Sequence, residues 1–184
     1  SEDYLREACE KAKQIPAFQD TFKRLHLNIW TSSDSRWIAP ETWNACSEAL
    51  PDMTGRTCYA GLDLSSVSDL TAFVLVFPPT QDDDKTYVLP TFWIPADNIS
   101  ERERKDRVPY AAWARDGFIN TTPGNVIDYD AVFETILELK AKYKIVDVAF
   151  DRWGSQQIAT KLAEAGIQMV QMGQGFASMS APSK

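Results

Sequence analysis

One histidine, three cysteines and a shortage of positive charge mark this 184-residue chain, and each deficit narrows the classes of function it can serve. The lone histidine, His26, lies among the apolar residues of RLHLNIW, which argues against a Ser-His-Asp hydrolase and for a packed structural role. Cys9, Cys46 and Cys58 are odd in number and show neither CxxC nor zinc-ligand spacing, so neither a disulfide framework nor a structural zinc is expected. A reducing cytoplasm fits that usage. Neither GxxxxGK[ST] nor GxGxxG occurs, so the chain should not bind a nucleotide by those devices. No apolar run approaches the roughly 20 residues that cross a bilayer, and the acidic opening SEDYLREACEK lacks the regions of an export signal, so no membrane partner is expected. The formal net charge of -7 weighs against simple electrostatic attachment to DNA, whose nonspecific affinity comes from cations that neutralise phosphates. Carboxylates clustered around divalent cations would reverse that local field.

What remains is the material of a packed protein. Hydrophobic residues make up 44% of the chain and charged residues 24%, the range of ordinary globular domains, and a chain this long buries roughly 70% of its unfolded surface. It opens without methionine and closes on SAPSK, which reads as the start of a further helix, so a fragment of something larger is expected. Leu5, Ala8, Cys9, Ala12 and Ile15 fall at helical spacing, and Pro16 disfavours continuation. Residues 17–56 break into short aromatic pieces, with a helix starting at Pro40 and Glu41 and ending near Pro51; residues 1–56 read as a linker or lid.

From residue 57 the pattern becomes TCYAGLDLS, TAFVLVF and TYVLPTFWIP, three β-rich runs separated by polar turns, which predict an antiparallel meander with Pro90 at a bulge or an edge. SERERKDRVPYAAWARDG predicts an interrupted helix whose Arg102, Arg104, Lys105 and Arg107, interleaved with acids, read as a solvated face. A short FINTT strand follows, then a helix capped by Asp128 or Asp130. VDVAFDRW, GSQQIATKLAEAG and IQMVQMG form a βαβ unit with parallel strands. Three antiparallel strands followed by parallel βα units, flanked by helices and preceded by a helical linker, is the order of an RNase H-like α/β fold.

Two acids interrupt apolar strands in this scheme. Asp63 sits in AGLDLSS between Leu62 and Leu64, which must face the other way, and Asp151 ends the apolar run of VAFDRWG. Their strands are neighbours in an RNase H-like sheet, so the carboxylates should converge and invite a cation. Carboxylate oxygens suit magnesium or manganese, and two such ions about 4 Å apart can activate water and stabilise the leaving oxygen of a phosphodiester. Each acid alone could equally be a cap or an ion-pair partner; the pair is what points to metal. Asp69 in SSVSDLTA can lie near the site or form an Asx turn, Ser65 and Ser66 can bind phosphate or simply turn the chain, and Arg152 can touch a phosphate while Trp153 contacts it or packs in the core.

GLDLSSVSDLTAFVLVFP resembles the opening of the nuclease domain in large terminase subunits of the HK97-like phage group, and VAFDRWGSQQIATKLAEAGI resembles the segment bearing their second metal acid. FKRLHLNIWTSSDSRWIAPETWNAC is similar to the aromatic linker after their ATPase core. The resemblance implies that residues 57–184 are a C-terminally incomplete two-metal endonuclease domain, with Asp63 and Asp151 binding Mg2+ or Mn2+, and that ATP acts only at an absent motor domain. It further implies cutting of concatemeric double-stranded DNA during packaging, in the host cytoplasm, with the terminase small subunit, portal protein and other large-subunit copies as partners. The family's third acid has no match before Lys184, so weak or no cleavage is expected of this chain alone. The alternatives are another RNase H-like nuclease of transposase or resolvase type, and a noncatalytic module docking on portal or motor.

Overall fold

The structure, a computed structural model, describes residues 1–29, 38–65, 69–151, 155–181 and 183. It divides into two compact units, Ser1–Pro51 and Asp52–Lys184. No helix among the described residues is long and apolar enough to cross a membrane.

In the first unit, helix α1 (Glu2–Gln14) is capped by the Ser1 hydroxyl, which accepts from the Tyr4 amide. Ala8 and Ala12 on α1 pack against Phe22 of α2 (Pro16–Leu27). The continuous α2 corrects the expectation of broken aromatic pieces after Pro16. Proline both stops α1 and begins α2, because its missing amide proton is no loss at a first helical position. His26 meets Tyr4 edge-on and Phe22 at a tilt, with ring centroids 5.5 and 5.2 Å away, the packed role its surroundings suggested. Helix α3 (Pro40–Asn44) starts where expected but is only five residues long, and Trp43 stays exposed.

The second unit is built on a six-stranded mixed sheet in the order β4-β3-β2-β1-β5-β6. Its strands are β1 (Thr57–Asp63), β2 (Thr71–Phe77), β3 (Tyr87–Pro95), β4 (Asn120–Thr122), β5 (Lys144–Phe150) and β6 (Gln168–Gln171). Strands β1, β2 and β3 pair antiparallel, while β5 runs parallel to both β1 and β6. Strand β4 pairs only with Trp93, Ile94 and Pro95, so Pro90 lies on a stretch of β3 whose outer edge is open and its missing amide proton breaks no ladder.

Alternation gives the sheet two unlike faces. Cys58, Ala60, Leu62, Phe73, Leu75, Phe77, Val148 and Phe150 point to one side and are buried under Val132 and Ile136 of α6 (Tyr129–Lys142) and Ile158 and Leu162 of α7 (Gln156–Glu164). Burial pushes the Cys58 thiol up to about 11, leaving it an inert core group. On the opposite face, toward β3 and β4, Phe92 and Ile94 meet Ile99 of α4 (Ile99–Asp106) and Tyr110 of α5 (Tyr110–Arg115). The break at 107–109 between α4 and α5 is the expected interruption. Across the middle of that face, Tyr59, Val76 and Val88 form an exposed row, paired Tyr59 to Val76 and Val76 to Val88.

Asp128 caps α6, its Oδ1 accepting from the amides of Asp130 at 2.9 Å and Ala131 at 3.3 Å. Asp130 lies within the first turn and pairs with Lys161 of α7 at 2.7 Å. Asp128→Ala is therefore expected to cost about 1 kcal/mol in urea unfolding. Asp130→Ala, which removes an exposed pairing, should cost less. Equal losses from both would contradict the cap.

Candidate metal centre

The centre of the sheet sets the two acids side by side. A bulge between Cys58 and Ala60 shifts the β1/β5 register, after which Ala60 opposes Val148, Gly61 opposes Ala149 and Leu62 opposes Phe150. The next residue on each strand path is Asp63 and Asp151. Matched positions on adjacent parallel strands face the same side, with backbones about 4.8 Å apart. Leu62 and Phe150 turn into the core, and alternation directs Asp63 and Asp151 to the opposite face.

Both acids line one cleft of about 380 Å³. Gly61, Ala72, Val74 and Ala149 supply its floor, and Met172, Gln174 and Met179 flank it. The flanking segment follows β6 and is held by the Met172 amide, which donates to the Phe150 carbonyl at 2.8 Å, immediately beside Asp151. Met179 comes from α8 (Phe176–Met179), a single turn. The backbone of Asp151 is fixed from the other side, because the hydroxyl of buried Ser155, at the start of α7, donates to its carbonyl.

The other sequence candidates lie elsewhere. Ser65 and Asp69 do not line the cleft with the acids. The Ser65 hydroxyl accepts from the Asp69 amide at 2.8 Å, and its amide donates to Thr71 Oγ1 at 3.1 Å, so its polar groups close the turn that follows Asp63. Arg152, Trp153 and Ser66 lie outside the described residues. Arg102 corrects the reading of a wholly solvated basic face. It is 7% exposed, while Arg104, Lys105 and Arg107 are exposed as expected.

Two carboxylates on neighbouring strand paths offer the hard oxygens that magnesium and manganese prefer, and the Asp63 side chain makes no hydrogen bond or ion pair among the described residues. Among the described residues no group of three or more acids, histidines or cysteines comes together.

A family model described as the terminase large subunit, endonuclease domain, matches residues 1–184. The chain belongs to that family. The large terminase subunit of Enterobacteria phage HK97 is 40% identical over 181 residues, which cover 97% of this chain and 35% of that protein. Protein YmfN of Escherichia coli strain K12 is 27% identical, over 99% of this chain and 42% of its own length. The crystal structure of the HK97 bacteriophage large terminase matches with a TM-score of 0.67 at 39% identity, covering 97% of this chain and 37% of that one. The terminase chain thus spans between about a third and two fifths of the relatives it matches, 35% and 42%. Its mixed sheet flanked by helices is the RNase H-like terminase nuclease fold anticipated from the strand order.

Sequence reasoning missed the walls of the cleft. Met172, Gln174 and Met179 lie on irregular backbone and one helical turn, where no periodicity marks them. Gly61 did carry a signal, since glycine inside a strand often marks close approach by a ligand.

Proposed function

We propose that this chain carries the metal-dependent endonuclease centre of a phage DNA-packaging terminase, with Asp63 and Asp151 as its metal-holding, catalytic acids. The observation that supports this reading is that both acids line one cleft, directly after the paired positions Leu62 and Phe150 of neighbouring strands. The substrate is concatemeric double-stranded DNA in the host cytoplasm, and the terminase small subunit, portal protein and other large-subunit copies are the partners. The first unit, Ser1–Pro51, serves as the linker to a motor domain outside this chain, where ATP acts.

Bound at this centre, Mg2+ or Mn2+ supplies Lewis-acid polarisation of the phosphodiester and makes water a better nucleophile at neutral pH. The chain's own residues hold and orient. Asp63 and Asp151 would hold the ion through their carboxylate oxygens, and the Ser155 hydroxyl holds the backbone carbonyl of Asp151. The side chains of Gly61, Ala72 and Ala149 are small or absent, which leaves the approach to the acids clear.

With two acids in place of three, the second ion is held weakly. Losing even an outer-shell partner weakens a metal site about 10–100-fold, so a missing direct ligand should cost at least that. The test is relaxation of supercoiled plasmid with Mn2+. The full-length protein should cut, chelation should stop it, and this 184-residue chain alone should be slower by at least that factor. Cleavage indifferent to chelation would remove the metal from the reading; equal rates would remove the need for a further acid.

A further inference from the structure

Arg102 is costly where it stands. Withdrawing a guanidinium from water costs several kcal/mol unless it is well paired. Arg102 is 7% exposed, yet the carboxylate paired with it, that of Asp106, is loosely placed at 3.9 Å, and its Nε has no hydrogen-bond partner among the described residues. Its guanidinium lies 5.0 Å from the Tyr110 ring centroid. An apolar side chain of similar volume would fill this site at least as well for stability. What such a residue lacks is a donor, and Arg102 Nη1 donates to the backbone carbonyl of Asp69 at 3.3 Å.

That carbonyl belongs to a closed set of bonds around the start of the β1–β2 connection. The Asp69 amide donates to Ser65 Oγ at 2.8 Å. The Ser65 amide donates to Oγ1 of fully buried Thr71 at 3.1 Å, and the Thr71 hydroxyl donates to the Ser65 carbonyl at 3.3 Å. Tyr129, at the start of α6, donates its phenol hydroxyl to the same Ser65 carbonyl, also at 3.3 Å. Ser65 stands two residues beyond Asp63. Core packing fixes Leu62 and the β1/β2 ladder pairs Asp63 with Ala72, and these bonds hold the chain that follows Asp63.

We propose that Arg102 is a positioning residue for the nuclease centre, clamping the Asp69 end of the β1–β2 connection so that Asp63 keeps its place beside Asp151. The inference rests on the nuclease reading above. It assigns Arg102 no contact with DNA or metal; it acts through the Asp69 carbonyl and Ser65.

The experiment compares wild type, Asp63→Ala, Arg102→Gln, Arg102→Lys and Tyr129→Phe in the full-length protein. It measures kcat and KM for plasmid cleavage, the Mn2+ concentration for half-maximal rate, and hydrogen exchange at the Ser65 and Asp69 amides. Displacing a reacting group by about 1 Å can cost 10²-fold, so partial loosening should lower kcat about tenfold. Arg102→Gln is expected to show that loss with KM for DNA unchanged, a raised Mn2+ midpoint and faster exchange at both amides. Arg102→Lys, which keeps a cationic donor, should recover part of each. Tyr129→Phe, which removes one hydroxyl, should shift the same readouts in the same direction if the shared clamp controls Asp63. Arg102→Gln with an unchanged kcat and Mn2+ midpoint in folded protein overturns the clamp while the nuclease reading stands. Failure of Arg102→Gln to fold leaves Arg102→Lys and Tyr129→Phe to decide: unaltered kcat, midpoint and exchange in both overturn it. Wild type no more active than Asp63→Ala overturns the nuclease reading and with it the purpose given to Arg102.

Discussion

Asp63→Ala is expected to lower DNA cleavage about 10³-fold while staying folded, and Asp151→Ala to lower cleavage as much. The magnitude follows from what a lost ligand removes. Metal polarisation contributes several kcal/mol to transition-state stabilisation, and each 1.36 kcal/mol is tenfold in rate, so about 4 kcal/mol corresponds to that factor. The fold should tolerate Asp63→Ala, because that side chain faces the cleft rather than the core. Its melting temperature should hold.

The double variant separates a shared ion from two unrelated acids. If both carboxylates hold one cation, removing the second after the first costs little more, so the losses should be far from additive. Asp63→Asn and Asp151→Asn add a control of near-identical shape, and each should be nearly as damaged as its alanine counterpart because an amide is a poor substitute for a charged ligand. Full activity in folded Asp63→Asn, or multiplicative losses in the double variant, would sink the shared-ion centre.

Where the sequence was legible, a physical signal was local and periodic. Asp63 and Asp151 stood out because each breaks an apolar strand, and the sheet order followed from three β-rich runs preceding a βαβ unit. Pro90 could be read as an edge residue because a missing amide proton has few permitted places. Legibility failed where the deciding contact was distant or the backbone irregular. Pro16 reads locally only as a stop, although one residue can end one helix and start the next. Arg102 was read as solvated because alternating charges usually are, and no local pattern reveals that one position of α4 turns toward the Asp69 carbonyl. Met172 and Met179 became cleft walls only through chain tracing after β6, which sequence spacing does not encode.

Gly61 provides the second large effect, with opposite consequences for fold and function. It lies in β1 between Val74 of β2 and Ala149 of β5, and a Cβ built there meets nothing within 4 Å. Its φ is not in the left-handed region, so neither backbone conformation nor crowding requires glycine. A strand-favouring residue should even stabilise β1, since glycine within a regular element costs roughly 0.5–1 kcal/mol. The space such a side chain enters is the cleft of about 380 Å³ shared by Asp63 and Asp151. Across Gly61→Ala, Gly61→Val and Gly61→Trp, cleavage should fall progressively, reaching about 10²-fold for tryptophan as the phosphodiester is pushed from the acids. Melting temperature should stay level or rise from alanine to valine. Mn2+ binding should persist throughout, because the carboxylates remain. Activity falling while stability rises is a combination that unfolding does not produce, so the series separates blocked access from a damaged fold. Undiminished cleavage by folded Gly61→Trp would mean that DNA reaches the acids by another path, and the cleft floor would lose its assigned role.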